Sequence, residues 1–427
     1  MDVEKKLYFA DLFAGIGGFH YALDLVSKKM NFKIQCKYVS EIDEQAKKNY
    51  CMNFDFPIEN IFDINKFDNF INTSKLDIVF CGFPCQPFSN AGLKKGFKDE
   101  ERGKLIFKVK QFVKKTQPKI ILLENVKYLT NHNNQETYGK IIKLFKKEGY
   151  IGTSINNPLI ISPHQFNLKQ RRERVFIPLV KKDLFNKTTS NNKYYVHNNI
   201  NNEIIPTIDI ENFPKIISTK KFAFDNPKNP IKPCQEIENA LTVWEEFITH
   251  FQKQKKSIPI IYIDEMICNK IDEIKYKKFC WYKKYVDKMK LFYSENKDFI
   301  DEWFKKNNIN NWKNKKIKKI EWQAGNISFK KTYLQIRQSG LRFKKNNLFP
   351  TLVATVQTPL IYTKKNGWRY LTKNEVRKLQ NFPKNHKIDE NNFQAFKQFG
   401  NAVNVYVTAY VIYSYLKPFI EEVLSNE

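Results

Sequence analysis

Cys85 stands between Pro84 and Gln86-Pro87, just past Gly82 and the apolar run Ile78-Val-Phe-Cys81. Prolines on either side stiffen the loop, so the thiol is held at the carboxyl end of a buried strand. Once ionised, such a thiol is a nucleophile, although a lone cysteine is more often a small buried hydrophobe. A second apolar run, Lys119-Ile-Ile-Leu-Leu123, ends in Glu124-Asn125-Val126. A carboxyl there is costly without a partner or a task, and serves equally as a structural ion pair or a proton-handling group. Gln170-Arg-Arg-Glu-Arg174 adds two alternate arginines, Arg172 and Arg174. Read from the residues alone, a basic run of this kind is usually a solvated face.

These groups need a scaffold. Leu7-Tyr-Phe-Ala10 reads as a buried strand, and Asp11-Leu-Phe13-Ala14-Gly15-Ile-Gly17-Gly18 as a glycine-rich turn. Phe19, Ala22, Leu23 and Val26 then recur at helical spacing. Strand, turn and helix make a ligand-binding unit of an open α/β sheet, with glycines where a Cβ would block a ligand. The third glycine of a dinucleotide fingerprint is missing, which argues against a pyrophosphate and a nicotinamide dehydrogenase. Glu41 follows the strand Tyr38-Val-Ser40 at the distance of a ribose-binding acid, or is a solvated loop acid. Asp63 follows a possible third strand at Asn60–Ile64. Strands ending in Asp11, Glu41, Cys85 and Glu124 would converge on one crevice. Gly92-Leu-Lys-Lys-Gly-Phe97, followed by Asp99–Arg102, is an ordinary surface loop or a mobile lid.

The chain has 427 residues, enough for one large core and a smaller lobe, and a formal charge of +29. That sign favours a polyanion such as nucleic acid, although lysine enrichment from an AT-rich coding sequence has the same effect. Seven cysteines without a Cys-x-x-Cys pair or zinc-type histidine spacing read as reduced thiols in a cytosolic protein, against a disulfide scaffold or zinc site. No signal region or membrane-length apolar run is visible. From about residue 181 the texture changes: no glycine separates Gly152 from Gly325, and five of six tryptophans fall in that stretch. Lys275–Lys290 and Lys305–Lys319 alternate lysines with aromatics, as a helical lobe with an aromatic core or a DNA-facing surface.

Gly82-Phe-Pro-Cys-Gln-Pro-Phe-Ser89 resembles the nucleophile loop of the cytosine-C5 DNA methyltransferases. Further family-like segments follow in the family's order: the Asp11–Phe19 loop, Gly103-Lys-Leu105, Glu124-Asn-Val126, Gln170-x-Arg-x-Arg174, Phe349–Ala354, Tyr370–Pro383 and Gln398-Phe-Gly-Asn-Ala-Val403. The resemblance covers residues 7–180 and 345–416. It departs at Ile42, where relatives often place an aromatic, and at Asn167-Leu-Lys169, where they usually carry Gly, an apolar residue and Pro.

The resemblance implies a doubly wound, mostly parallel α/β sheet of the S-adenosylmethionine-dependent methyltransferase type. Residues 1–180 and 395–427 would form the catalytic domain, 181–372 a smaller target-recognition domain, and 373–394 a hinge. It implies methyl transfer from S-adenosyl-L-methionine, without a metal, to carbon 5 of a cytosine flipped from double-stranded DNA. Cys85 would attack carbon 6, Glu124 hold the N3 proton and amino group, and Arg174 face O2. Arg172 would support the nucleophile loop, with Pro84, Gln86 and Asn125 completing the catalytic set. The cofactor would be held by Asp11, Phe13, Ala14, Gly15, Gly17, Gly18, Glu41, Ile42, Asp63, Ile64, Pro84, Leu105, Asn401 and Val403. Phe13 is expected against adenine, Glu41 on the ribose and Asp63 on the adenine amino group. The expected setting is a monomer in a prokaryotic cytoplasm near the nucleoid, away from membranes, with a separately encoded cognate restriction endonuclease. A transfer-RNA cytosine methyltransferase and an inactive DNA-binding relative are the alternatives. The Cys-Phe-Thr element of the RNA branch is absent, and the intact motifs argue against an inactive protein.

Overall fold

The computed structural model describes residues 5–72, 75–84, 105–153, 155–190, 213, 222–268, 270–345, 348–353 and 359–425. Cys85, Gln86, Gly92–Phe97 and Asp99–Arg102 lie outside the described residues. The chain forms two compact units, one of residues 1–223, 350–354 and 376–427, the other of residues 224–349 and 355–375.

In the first unit the strands are β1 (Lys6–Leu12), β2 (Lys33–Ser40), β3 (Ile61–Phe62), β4 (Ile78–Cys81), β5 (Ile120–Val126), β6 (Tyr150–Gly152), β7 (Leu159–Ile161) and β8 (Arg174–Lys181). Their order is β3-β2-β1-β4-β5-β8-β6, with β7 also paired to β8. The five strands from β3 to β5 are parallel, and β8 runs antiparallel to β5. The chain winds outward from β1 through β2 to β3, then returns to place β4 on the other side of β1. That reversal between β1 and β4 is where a doubly wound sheet opens a crevice.

The near-continuous apolar runs have a physical cause: this sheet is covered on both faces. Ala10, Leu12, Val79, Cys81, Ile121, Leu123, Ile177 and Leu179 lie in one core with α3 (Leu105–Thr116) and α4 (Glu136–Lys146). Across the sheet, α1 (Gly18–Met30) packs against the C-terminal helix Val405–Val411. The segment expected as a hinge joins this unit from Val376 onward. Gln380 Nε2 donates to Phe399 O at 2.7 Å, and Asn404 Nδ2 to Leu379 O at 3.0 Å. α2 (Glu44–Asn53) and α5 (Lys182–Ser190) complete the unit's labelled helices.

The second unit is more than a helical lobe. Its six-stranded sheet runs Gly367–Tyr370, Leu360–Thr363, Thr332–Arg337, Gly340–Lys345, Lys319–Gln323 and Ile261–Tyr262. Helices Gln235–Lys253, Cys280–Ser294 and Lys297–Lys306 share a core with this sheet, centred on Trp244, Phe247, Phe251, Phe292 and Trp303. The lysines mask the strand alternation because their aliphatic stems cover apolar surface while their charges stay wet. Arg369 and Glu375, both fully buried, pair at 2.8 Å, and Arg369 also donates to Asp225 O. The clasp joins the two ends of this unit's chain.

Candidate active site

The parallel register lines up the site. Phe62, Ser40, Leu12, Cys81 and Leu123 form one row across β3, β2, β1, β4 and β5. The next residue on each strand is Asp63, Glu41, Phe13, Gly82 and Glu124, so these five stand along the carboxyl edge. At about 4.8 Å between strands the row is roughly 19 Å long. Asp11 is not a strand-end residue, because β1 continues through Leu12 and encloses it. Glu124 and Asn125 likewise lie inside β5, paired with Phe176 and Val175.

The glycine-rich turn has several distinct tasks. Phe13 is held at φ 57° and Gly15 at φ 56°, so the turn begins in left-handed backbone that disfavours most side chains. A Cβ on Gly15 would meet open space among the described residues, which leaves backbone free for a ligand. Gly17 and Gly18 instead face protein: a Cβ on Gly17 would enter the Phe54 ring, and one on Gly18 would lie 2.6 Å from Val403 Cγ2. Val403 therefore packs directly beside this turn. Glu41 fixes the turn from the side, accepting from Gly15 N at 2.9 Å and from the amides of Ile42 and Asp43. Ala14 N donates to Ser40 O.

Of the remaining expected cofactor residues, Asp63 caps the turn that follows it by accepting from Asn65 N, and Ile64 is buried. Ile42 is 69% exposed, with its side chain available to a ligand rather than to the core. Leu105 begins α3 and is partly buried, and Pro84 is partly buried. Asn401 is exposed at the end of the helix Asn392–Asn401. Lys397 of that helix pairs with Asp43 at 2.6 Å, tying it to the segment after Glu41.

Behind the turn lies a polar group that the motifs do not announce. His20 Nδ1 is 2.8 Å from Tyr50 Oη, and the His20 ring stacks on Phe54 at 3.9 Å. Burial pushes the His20 pKa down to about 3, so the ring is neutral. Asp11 is fully buried, and neither carboxylate oxygen has a hydrogen-bond partner of normal geometry among the described residues. Burial, then the charge of Glu41, raises its pKa well above the carboxylate range, against an opposing pull from the His20 amide. No sequence signal singles out His20, Tyr50 or Phe54, since their meeting depends on how α1 and α2 pack.

At the other side of the switch point, Glu124 Oε1 pairs with Arg174 Nε at 3.0 Å. Burial raises the Glu124 pKa, opposed by the positive charges of Arg174 and then Arg172. A Cβ on Gly82 would lie 3.8 Å from Glu124 Oε2, so the carboxylate faces the root of the Cys85 loop. Asn125 Nδ2 donates to Phe83 O at 3.0 Å, binding the end of β4 to β5. Cys81 is buried on the strand with its thiol pKa raised well above normal, chiefly by burial.

The two arginines diverge. Arg174 reaches the carboxylate, whereas Arg172, 2% exposed, donates to Leu352 O, Gly400 O and Ala402 O at 2.7, 2.9 and 2.8 Å. It staples together three stretches distant in sequence, a task not visible in the spacing of a basic run.

The match to the family described as C-5 cytosine-specific DNA methylase runs over residues 7–417. The type II methyltransferase M.HpaII of Haemophilus parainfluenzae is 40% identical over 177 residues, 41% of this chain and 46% of that protein. M.BanI of Aneurinibacillus aneurinilyticus is 38% identical over 173 residues, 40% of this chain and 38% of that protein. M.HhaI of Haemophilus parahaemolyticus is 33% identical over 179 residues, 42% of this chain and 50% of that protein. The chain thus spans no more than half the length of each of these relatives. The full-length agreement lies with the family pattern, and by it the chain belongs to the C-5 cytosine-specific DNA methylase family.

Proposed function

We propose that the protein methylates carbon 5 of cytosine in duplex DNA, using S-adenosylmethionine. The observation that carries this reading is the shared carboxyl-edge row. Glu41 and Phe13 stand on one side of the switch point, Gly82 and Glu124 on the other, with Cys85 three residues beyond Gly82. The turn suits an adenosine without a phosphate: Gly15 leaves backbone open, Glu41 offers a carboxylate beside it, and Ile42 presents exposed apolar surface. When bound, S-adenosylmethionine would supply an electrophilic methyl group beside the target carbon. Phe13, Glu41, Asp63 and Val403 would hold it.

Carbon 5 of cytosine is a weak nucleophile. The Cys85 thiolate adds through Sγ to carbon 6, and the electrons of the 5,6 double bond make carbon 5 nucleophilic. Glu124 stabilises the ring by holding a proton at N3, a role that a burial-raised pKa favours. Arg174 keeps that carboxyl oriented at the ring. After methylation, loss of the carbon 5 proton expels Sγ and restores the double bond. Asn125 positions the root of the nucleophile loop, and Arg172 holds the segment carrying Val403.

Of the expected span 181–372, the part in the compact second unit (residues 224–349 and 355–375) is the candidate target-recognition part, and grafting that span from a relative of known specificity should move the methylated sequence. The naming of relatives as type II methyltransferases supports a cognate restriction endonuclease, from which methylation would protect host DNA. No helix among the described residues is long and apolar enough to cross a membrane.

The test is a covalent trap. With 5-fluorocytosine at the target, fluorine cannot leave carbon 5, so the enzyme should stay bonded through Cys85 on a denaturing gel. Cys85→Ala should abolish trapping, while Cys81→Ala should keep it. Trapping confined to RNA, or lost only in Cys81→Ala, overturns the reading.

A further inference from the structure

The helix Cys280–Ser294 buries Tyr282, Val286, Met289 and Phe292, and turns Trp281, Lys284, Lys288 and Leu291 outward. Positions 281, 284, 288 and 291 fall on one helical stripe. Trp281 is 66% exposed and Leu291 60% exposed, although burial of either would be favourable. Phe279 lies 6.2 Å from Trp281, ring to ring, with Lys278 Nζ 5.5 Å from the Phe279 centroid. Among the described residues, no carboxylate pairs with Lys277, Lys278, Lys284 or Lys288. Four other lysines of this unit do have carboxylate partners: Lys297 with Asp301, Lys306 with Glu246, Lys318 with Asp264 and Lys330 with Glu245. The nearby acids are engaged or few. Asp272 pairs with Lys275 and Asp287 accepts from Tyr276 Oη, which leaves Glu273 and, at the helix end, Glu295.

We infer that this ridge, Lys277 to Leu291, binds the sugar–phosphate backbone of duplex DNA outside the methylated sequence. The inference rests on the reading of duplex DNA as substrate and adds a contact that supplies affinity without sequence choice. Four unmatched ammonium groups complement phosphates, and the exposed rings and lysine stems offer apolar cover to deoxyribose. From Trp281 to Leu291 the stripe runs about 15 Å. Over that length a duplex presents roughly nine charges.

The experiment measures binding of the full chain to two labelled duplexes, with and without the methylated sequence, across a salt series. Replacing Lys277, Lys278, Lys284 and Lys288 together by Gln should lower the slope of log affinity against log salt by about 2–4. Both duplexes should weaken by the same factor, leaving their ratio and the turnover at saturating duplex unchanged. Trp281→Ala should weaken both duplexes without changing the slope. A control with Lys297, Lys306, Lys318 and Lys330 replaced should leave the slope near wild type. The inference is overturned by an unchanged slope, by a loss confined to the target duplex, or by an equal loss in the control. Wild-type binding without methylation would sink the activity alone, since the ridge is judged by binding. Absence of duplex binding would sink both.

Discussion

Gly18 offers a test of how the first turn and the C-terminal segment are joined. A Cβ there would lie 2.6 Å from Val403 Cγ2, 3.3 Å from Val403 O and 3.5 Å from Val403 N. Gly18 begins α1, and Ala is favoured over Gly in a helix by up to about 1 kcal/mol. Overpacking opposes this at about 1–3 kcal/mol, so Gly18→Ala should destabilise the first unit by roughly 1–2 kcal/mol. Val403→Ala removes two methyl groups and should cost about 1.6 kcal/mol at about 0.8 per group. The double variant relieves the clash and should cost the same as Val403→Ala or up to about 1 kcal/mol less, a coupling of about 1–3 kcal/mol. All six tryptophans belong to the second unit, so their fluorescence serves as an internal reference during denaturation. Far-ultraviolet circular dichroism should show the change in the transition without a tryptophan signal. Additive costs, or a shift in the tryptophan transition instead, would refute the packing argument.

Glu124→Gln should lower methyl transfer by about 10²–10⁴ with cofactor affinity retained, measured with labelled methyl donor. Because the folded-state pKa of Glu124 is raised, wild-type stability should fall as pH rises from the ordinary carboxylate range through the raised value. Gln should flatten that fall in denaturant titrations. Asn125→Ala removes the hydrogen bond to the Phe83 carbonyl and should cost about 0.5–1.5 kcal/mol, with transfer impaired more than cofactor binding by calorimetry. His20 titrates in the other direction. With its pKa depressed to about 3, stability should be full above pH 6.5 and fall toward pH 3 by up to about 1.4 kcal/mol per pH unit. His20→Phe should lose this acid limb while weakening the protein near neutrality, because Tyr50 loses its ring partner.

The local pattern of the chain determined the strand–glycine–helix opening, the acids after β2 and β3 and the family-like loop at Gly82. Each depends on neighbours within a few residues: apolar runs, glycine freedom and proline stiffness. Tertiary structure decided what those residues face. Parallel pairing, and no local preference, set Asp63, Glu41, Phe13, Gly82 and Glu124 on one edge. Burial within β1 removed Asp11 from that edge, because the strand runs two residues past the expected end. Gly17 and Gly18 look alike in sequence to Gly15, yet they meet Phe54 and Val403, whereas Gly15 meets open space. Arg172 and Arg174 share one basic run, but only long-range closure sends Arg172 to the carbonyls of Leu352, Gly400 and Ala402. Partners 180, 228 and 230 residues away leave no trace in local spacing, because their energy exists only once the chain has closed on itself.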